Sequence, residues 1–176
     1  TVEIFYHISL GRVLVLDGFI QLTESDEINY HEMMTHVPMF SSKLGKYVLI
    51  IGGADGGILR EVLKHPITNV TLVDIDGEII ELCKKYFPSL SKNSFKDSRV
   101  KLVVEDGIKF VKDTKNKFDV ILIDSTDPIG PGKTLFTRNF YTNLSKILSR
   151  NGIIVFQGGV PFLQFKQFKK MNNDLK

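Results

Sequence analysis

Hydrophobic and polar positions fall into two patterns along this chain. In the first stretch, Val13-Leu14-Val15-Leu16 and Phe19-Ile20-Gln21-Leu22 flank Asp17-Gly18, a dipeptide that favours a tight hairpin turn with positive φ at both central residues. Polar helix-start residues follow from Thr23 to Glu27. Ile28, Met33 and Val37 then predict a short amphipathic helix over Asp26 to His36 that ends near Pro38. From Tyr47 the pattern becomes strand and helix in alternation. Strands are expected at Val48–Ile51, Val70–Val73, Val100–Val104, Phe118–Ile123 and Ile153–Phe156. Helices are expected at Ile58–Lys64, Glu78–Tyr86, Ile108–Lys112 and about Arg138–Leu148, with one more over the basic tail. Apolar strands each followed by a helix imply an α/β fold with a parallel sheet covered on both faces. The polar stretch Ser41 to Lys46 divides a hairpin region with its short helix, residues 1–40, from the α/β unit, residues 41–176.

Composition narrows the class without changing this picture. The 176 residues, 43% hydrophobic and 24% charged, suit one globular domain with a small appendage, given about 100–200 residues per domain. No apolar run approaches the roughly 18–20 residues of a membrane helix. A lone cysteine, Cys83, excludes an intrachain disulfide framework and points to a reducing compartment. It lies on an apolar helix and reads as a small core residue. The chain opens at Thr1 without a basic and apolar leader, so no secretory signal is visible. Asn69-Val70-Thr71 fits a glycosylation sequon but enters a core strand. The net charge of +3 comes from 23 basic and 20 acidic residues. From Phe162 onward, Lys166, Lys169, Lys170 and Lys176 stand against Asp174 alone, so the rest of the chain is balanced. A nucleic-acid footprint would cover a face of the fold rather than its last helix, and nucleic acid is not an expected partner.

In an open parallel sheet, ligands sit beyond the carboxyl ends of the strands. Those ends read Gly52-Gly53-Ala54-Asp55-Gly56-Gly57, Asp74-Ile75-Asp76, Glu105-Asp106-Gly107, Asp124-Ser125-Thr126-Asp127-Pro128 and Gln157-Gly158-Gly159. So many carboxylates at one edge must face cations, hydroxyls, amines or a metal. The loop Gly52, Gly53, Gly56 allows a tight turn and close approach of a ligand. It does not match the dinucleotide pattern G-x-G-x-x-G, because Ala54 holds the third position, and Asp55 is a poor neighbour for a pyrophosphate. Asp74, about 20 residues on, can accept hydrogen bonds from ribose hydroxyls. With Asp106, the set reads as a nucleoside site. In the loop Asp124 to Lys133, two carboxylates three residues apart can hold a cationic substrate, and one of them can accept a proton; the plain alternative is a turn before a proline. His31-Glu32 with His36 imitates a zinc motif, but residues i and i+5 diverge by about 140° on a helix at roughly 100° per residue, so no metal site is expected.

Several runs closely resemble the spermidine synthases, the polyamine aminopropyltransferase family. They are Leu16-Asp17-Gly18-Phe19-Ile20-Gln21, Thr23-Glu24-Ser25-Asp26-Glu27, Tyr30-His31-Glu32-Met33-Met34 with His36-Val37-Pro38, Ile50 to Gly57 with Leu59-Arg60-Glu61-Val62, and Asp124 to Pro131. The resemblance runs from about Gly11 to about Leu163. It implies a Rossmann-like fold of the S-adenosylmethionine-dependent methyltransferase type, preceded by a small N-terminal β-hairpin domain. The reaction implied is aminopropyl transfer from decarboxylated S-adenosylmethionine to putrescine, giving spermidine and methylthioadenosine, with the nucleoside as co-substrate and no other cofactor or metal. Asp124 would be the base, aided by Tyr30. Asp55 would pair with the ammonium of the aminopropyl arm, with Gln21 near that arm and His31 among the substrate-binding residues. Asp74 would hold the ribose, Asp106 and Gly107 the adenine, and Asp127 and Gln157 the amine. Ala54 stands where the family usually has Gly, Asp74 where it usually has Glu, and Lys133 where it usually has an acid. The resemblance also implies a cytoplasmic protein, a homodimer or homotetramer at full length. It further implies a sheet closed by a C-terminal antiparallel hairpin for which these 176 residues leave no sequence, and N-terminal strands that begin earlier. A methyltransferase on the same fold and a non-catalytic truncated remnant are the rival readings.

Overall fold

The computed structural model describes residues 1–125 and 137–157, together with 165, 169, 172 and 173. Three antiparallel strands come first: β1 (Val2–His7), β2 (Gly11–Leu16) and β3 (Phe19–Thr23), in the order β1-β2-β3. The β2–β3 turn is the expected one, with φ of 50° at Asp17 and 80° at Gly18. A helix α1 (Glu27–Ser41) leads to the second sheet. There β4 (Tyr47–Gly52), β5 (Asn69–Asp74), β6 (Val100–Val104), β7 (Phe118–Asp124) and β8 (Leu148–Phe156) pair in parallel in the order β6-β5-β4-β7-β8. Between them run α2 (Gly57–Val62), α3 (Gly77–Tyr86), α4 (Pro88–Ser91), a 3-10 turn at Ser94–Lys96, α5 (Gly107–Asp113) and α6 (Arg138–Ile147). β4 lies at the centre, and strand order reverses between it and β7. No helix among the described residues is long and apolar enough to cross a membrane. The expected tail helix lies mostly outside the described residues.

Alternation along β4 distributes side chains to two cores, because successive residues of a strand face opposite ways. Val48 and Ile50 join Ile58, Leu59, Leu72, Val120 and Leu122 beneath α1 and α2. Leu49 and Ile51 join Val73, Val111, Ile121, Phe140 and Leu144 on the other face. A third cluster, Leu14, Leu22, Ile79, Cys83, Phe87 and Leu90, seats the small sheet on α3 and α4. Cys83 is buried as expected, and burial pushes its thiol up to about 12.

Helix α1 departs from expectation twice. It runs through Pro38 to Ser41 instead of stopping near the proline. Pro38 cannot donate to the preceding turn, but its own carbonyl still accepts from Ser42 N at 2.9 Å, so the last turn closes. Its buried face is His31, Met34, Thr35, Pro38 and Met39, whereas Ile28, Met33 and Val37 are exposed. The apolar spacing therefore marked the outer face. The inner one carries polar residues whose partners come from other elements. Strand β8 also starts earlier than expected, with an irregular pairing between Phe118 and Val120.

Candidate active site

The reversal of strand order puts the ends of β4 and β7 side by side, which is where open α/β sheets bind ligands. Gly52 is fixed by this approach: with φ of 85°, an added Cβ would lie 1.8 Å from the carbonyl oxygen of Asp124. The chain then turns through Gly53 and Gly56, also at positive φ, and enters α2. Asp55 in that turn accepts from Gly57 N at 2.5 Å, so its carboxylate is held at the mouth of the loop.

Across from it stands Asp124, the last residue of β7. Tyr30, on α1, donates its hydroxyl to Asp124 Oδ1 at 2.6 Å and approaches Gln157 Oε1 at 3.4 Å. His31, the next residue, is buried; its Nδ1 is 2.7 Å from Glu27 Oε2 and its Nε2 is 3.5 Å from Asp55 Oδ1. His31, Asp55 and Asp124 bring ligating atoms within 4.8 Å of one another. Four residues expected from the sequence, on three segments, thus form one cluster.

The two carboxylates differ in proton affinity. Burial pushes Asp124 up, the negative charge of Asp55 adds to this, and the Tyr30 hydroxyl and His31 oppose it; the result is about 6. Burial also acts on Asp55, but the hydrogen bond and charge of His31, the Gly57 N–H and Arg60 outweigh it and hold Asp55 below the ordinary carboxylate range. His31 responds in turn: burial disfavours its cation, yet Asp55, Glu27 and Asp124 raise it to about 9. One carboxylate is therefore held charged beside another poised to exchange a proton. Pairs of titratable groups pushed apart in this way are a signature of acid–base sites.

Of the remaining expected residues, Asp74, Asp106 and Gly107 lie at the same edge, where β5 and β6 end. Asp74, at the end of β5, accepts from Asp76 N at 2.9 Å, and burial pushes it up to about 6. Asp106 caps α5, its Oδ1 accepting from Ile108 N at 2.7 Å, and the adjacent Gly107 is buried against Ile51. Asp76 caps α3. Gln21 is exposed on β3, with its amide donating to the Phe19 carbonyl. Asp127 and Lys133 lie outside the described residues. The histidines of the apparent zinc motif diverge: His31 faces Asp55, while His36 faces His65 at 2.8 Å and Glu61 at 3.0 Å.

Sequence reasoning missed Glu27 and Arg60. Arg60, on α2, forks onto Glu27 at 3.0 and 3.2 Å, donates to Glu61 at 2.6 Å and reaches the Leu90 carbonyl at 2.8 Å. The available signal was a glutamate four residues before His31 in a helix, with an arginine just after the glycine loop.

These features define an open α/β domain of the Rossmann-like type, with its titratable residues gathered at the switch point of the sheet. The spermine/spermidine synthase domain matches residues 27–176. The polyamine aminopropyltransferase of Pseudomonas syringae pv. tomato is 53% identical over 162 residues, covering 92% of this chain and 57% of the relative. That of Buchnera aphidicola subsp. Schizaphis graminum is 51% identical over 174 residues, covering 98% of this chain and 61% of the relative. A crystal structure of spermidine synthase in complex with the transition-state analogue AdoDATO superimposes with a TM-score of 0.94 at 44% identity, over 99% of this chain and 60% of that one. Spermidine synthase from Thermotoga maritima gives 0.89 at 41% identity, over 99% and 58%. The chain belongs to the spermine/spermidine synthase family, with the methyltransferase-type sheet and small N-terminal sheet expected of it. It spans about three-fifths of the length of the relatives it matches.

Proposed function

We propose that the protein transfers the aminopropyl group of decarboxylated S-adenosylmethionine to putrescine, giving spermidine and methylthioadenosine. The observation that carries this reading is the unlike pair at the end of β4 and β7: Asp55 held ionised by His31, and Asp124 raised to about 6 beside it. Asp55 receives the ammonium of the aminopropyl arm and repels a donor that retains its carboxylate. Gln21 and His31 flank the arm, Asp74 takes the ribose hydroxyls, and Asp106 and Gly107 meet the adenine. Asp127 and Gln157 position the diamine.

The attacking nitrogen must be neutral, whereas an alkylammonium resembles lysine with a reference pKa of about 10.4. Asp124, steadied by Tyr30, takes that proton. The freed lone pair attacks the methylene carbon next to the sulfonium, a new C–N bond forms, and the C–S bond breaks with its electron pair passing to sulfur. Neutral methylthioadenosine leaves, so the step calls on no metal and no further cofactor. Orientation of amine and carbon at one sheet edge supplies much of the acceleration. We further propose that the full protein acts on small molecules in the cytoplasm, as a homodimer or homotetramer.

The test is turnover with putrescine and decarboxylated S-adenosylmethionine, following both products. Spermidine and methylthioadenosine in equal amounts support the reading. A folded sample that forms neither, or that methylates from S-adenosylmethionine instead, overturns it.

A further inference from the structure

Behind the site runs a line of buried charge that the transfer chemistry does not itself require. It passes from Glu61 through Arg60 and Glu27 to His31 and ends at Asp55, alternating in sign. Glu61 and Arg60 are 0% and 8% exposed, and His31 is 1% exposed. Isolated charges so placed would be strongly unfavourable, so each is held by its neighbours. The fork of Arg60 takes both oxygens of Glu27, and Oε2 of that carboxylate meets His31 Nδ1 at 2.7 Å. Glu27 sits one helical turn before His31, so the bond is made on a single face of α1. Gly57 completes the seat: a Cβ there would fall 2.2 Å from the imidazole, so only glycine lets the ring lie against the start of α2.

We propose that Glu27, braced by Arg60, is a positioning residue for His31: it fixes the imidazole with Nδ1 toward α1 and Nε2 toward Asp55, and so holds Asp55 aimed at the donor's ammonium. This rests on the reading of Asp55 given above. A metal-bound histidine is oriented by a carboxylate on its far nitrogen in the same way; here the imidazole serves a carboxylate in place of a metal. The groups facing the ring are Glu27 and Tyr30 from α1, Asp55 from the glycine loop and Asp124 from β7, with Arg60 of α2 behind Glu27. Both contacts of Asp55 fall on Oδ1, from Gly57 N and His31 Nε2, which leaves Oδ2 as the oxygen on offer among the described residues.

Glu27→Gln keeps the shape of the side chain and a weak acceptor for Nδ1–H but removes the charge. Two readouts are required in the full protein, with folding checked by near-ultraviolet circular dichroism. The first is titration of His31 by 15N-detected NMR, assigned by its loss in His31→Gln. The wild-type ring is expected to carry protons on both nitrogens at pH 7.5, and the variant to titrate at least one pH unit lower. The second is binding of decarboxylated S-adenosylmethionine against methylthioadenosine, which lacks the ammonium. The variant should lose about tenfold or more for the first and be unchanged for the second, a split that mere loosening of the core does not give. A His31 titration unmoved by Glu27→Gln, or equal loss for both ligands, overturns the proposal. Should the variant fail to fold, the wild-type ring decides: a neutral imidazole, or one unprotonated at Nδ1, at pH 7.5 refutes it. Failure of wild type to bind the decarboxylated donor counts against the proposed function, whereas the ring titration still judges Glu27.

Discussion

Replacing Tyr30 by Phe removes a single oxygen and probes the proposed role of Asp124 as proton acceptor. The hydroxyl donates to Asp124 Oδ1 at 2.6 Å, within the range of short charge-assisted bonds. Such a bond to a charged acceptor contributes about 1.5–3 kcal/mol. At about 1.36 kcal/mol per pKa unit, its loss raises the carboxyl by roughly one to two units. From about 6 in the native site, Asp124 in the variant should then titrate near 7–8 by the same conversion. At pH 7 the ionised fraction falls from about nine-tenths to between roughly one-half and one-tenth, so base catalysis should weaken about twofold to tenfold. Most of that loss should return above about pH 9, where the carboxyl is ionised in both proteins. The assay is the pH profile of kcat/KM for aminopropyl transfer in wild type and Tyr30→Phe. Ionisation of the diamine itself is common to both and cancels in their ratio. An acid limb that stays in place, moves to lower pH, or is replaced by a loss uniform across pH would refute this role for the hydroxyl.

Two further predictions concern the scaffold. Asp119, 5% exposed, accepts from the backbone N–H of both Lys46 and Tyr47 through one oxygen and so anchors the entry to β4. Asp119→Ala should lower stability by about 1.5–3 kcal/mol, read from the urea midpoint, because two backbone donors lose their charged acceptor. A change under about 0.5 kcal/mol, the range of ordinary surface substitutions, would show that the anchor is dispensable. His65 is held below its ordinary value of 6.5 by its burial and by the charge of His36, Glu61 opposing. Its neutral form is favoured by the fold, so the stability it contributes is present above pH 6.5 and is lost as pH falls below that value. Between pH 8 and pH 5.5 the urea midpoint of wild type should therefore fall relative to that of His65→Gln, the shifts of His31, Asp74 and Asp124 being common to both; a difference that stays constant with pH would contradict the assignment.

The fold was legible where a local rule had one physical outcome. Asp17-Gly18 between apolar pairs gave the turn, and Val48-Leu49-Ile50-Ile51 before a glycine run gave the central strand and its ligand edge. Asp55 and Asp124 could be placed together because parallel strands end on one side of their sheet. Helix α1 was harder, since its inward face holds His31 and Thr35 while Met33, Val37 and Phe40 face outward. Periodicity assumes that polar means exposed, and that assumption fails where a buried histidine is satisfied by Glu27 and Asp55. Glu27 and Arg60 were missed for a related reason. Their bond joins positions 33 residues apart, and nothing local marks either as buried. The unlike proton affinities of Asp55 and Asp124 likewise arise from packing, which brings the same residue type into two different environments.

On the proposed function, this carboxylate-lined edge selects a donor bearing an ammonium arm without a carboxylate. Calorimetric titration of the protein with decarboxylated S-adenosylmethionine and with S-adenosylmethionine tests it most directly. The decarboxylated form should bind more tightly by at least about tenfold, with the difference collapsing in Asp55→Asn. Equal affinity, or tighter binding of S-adenosylmethionine, would contradict it.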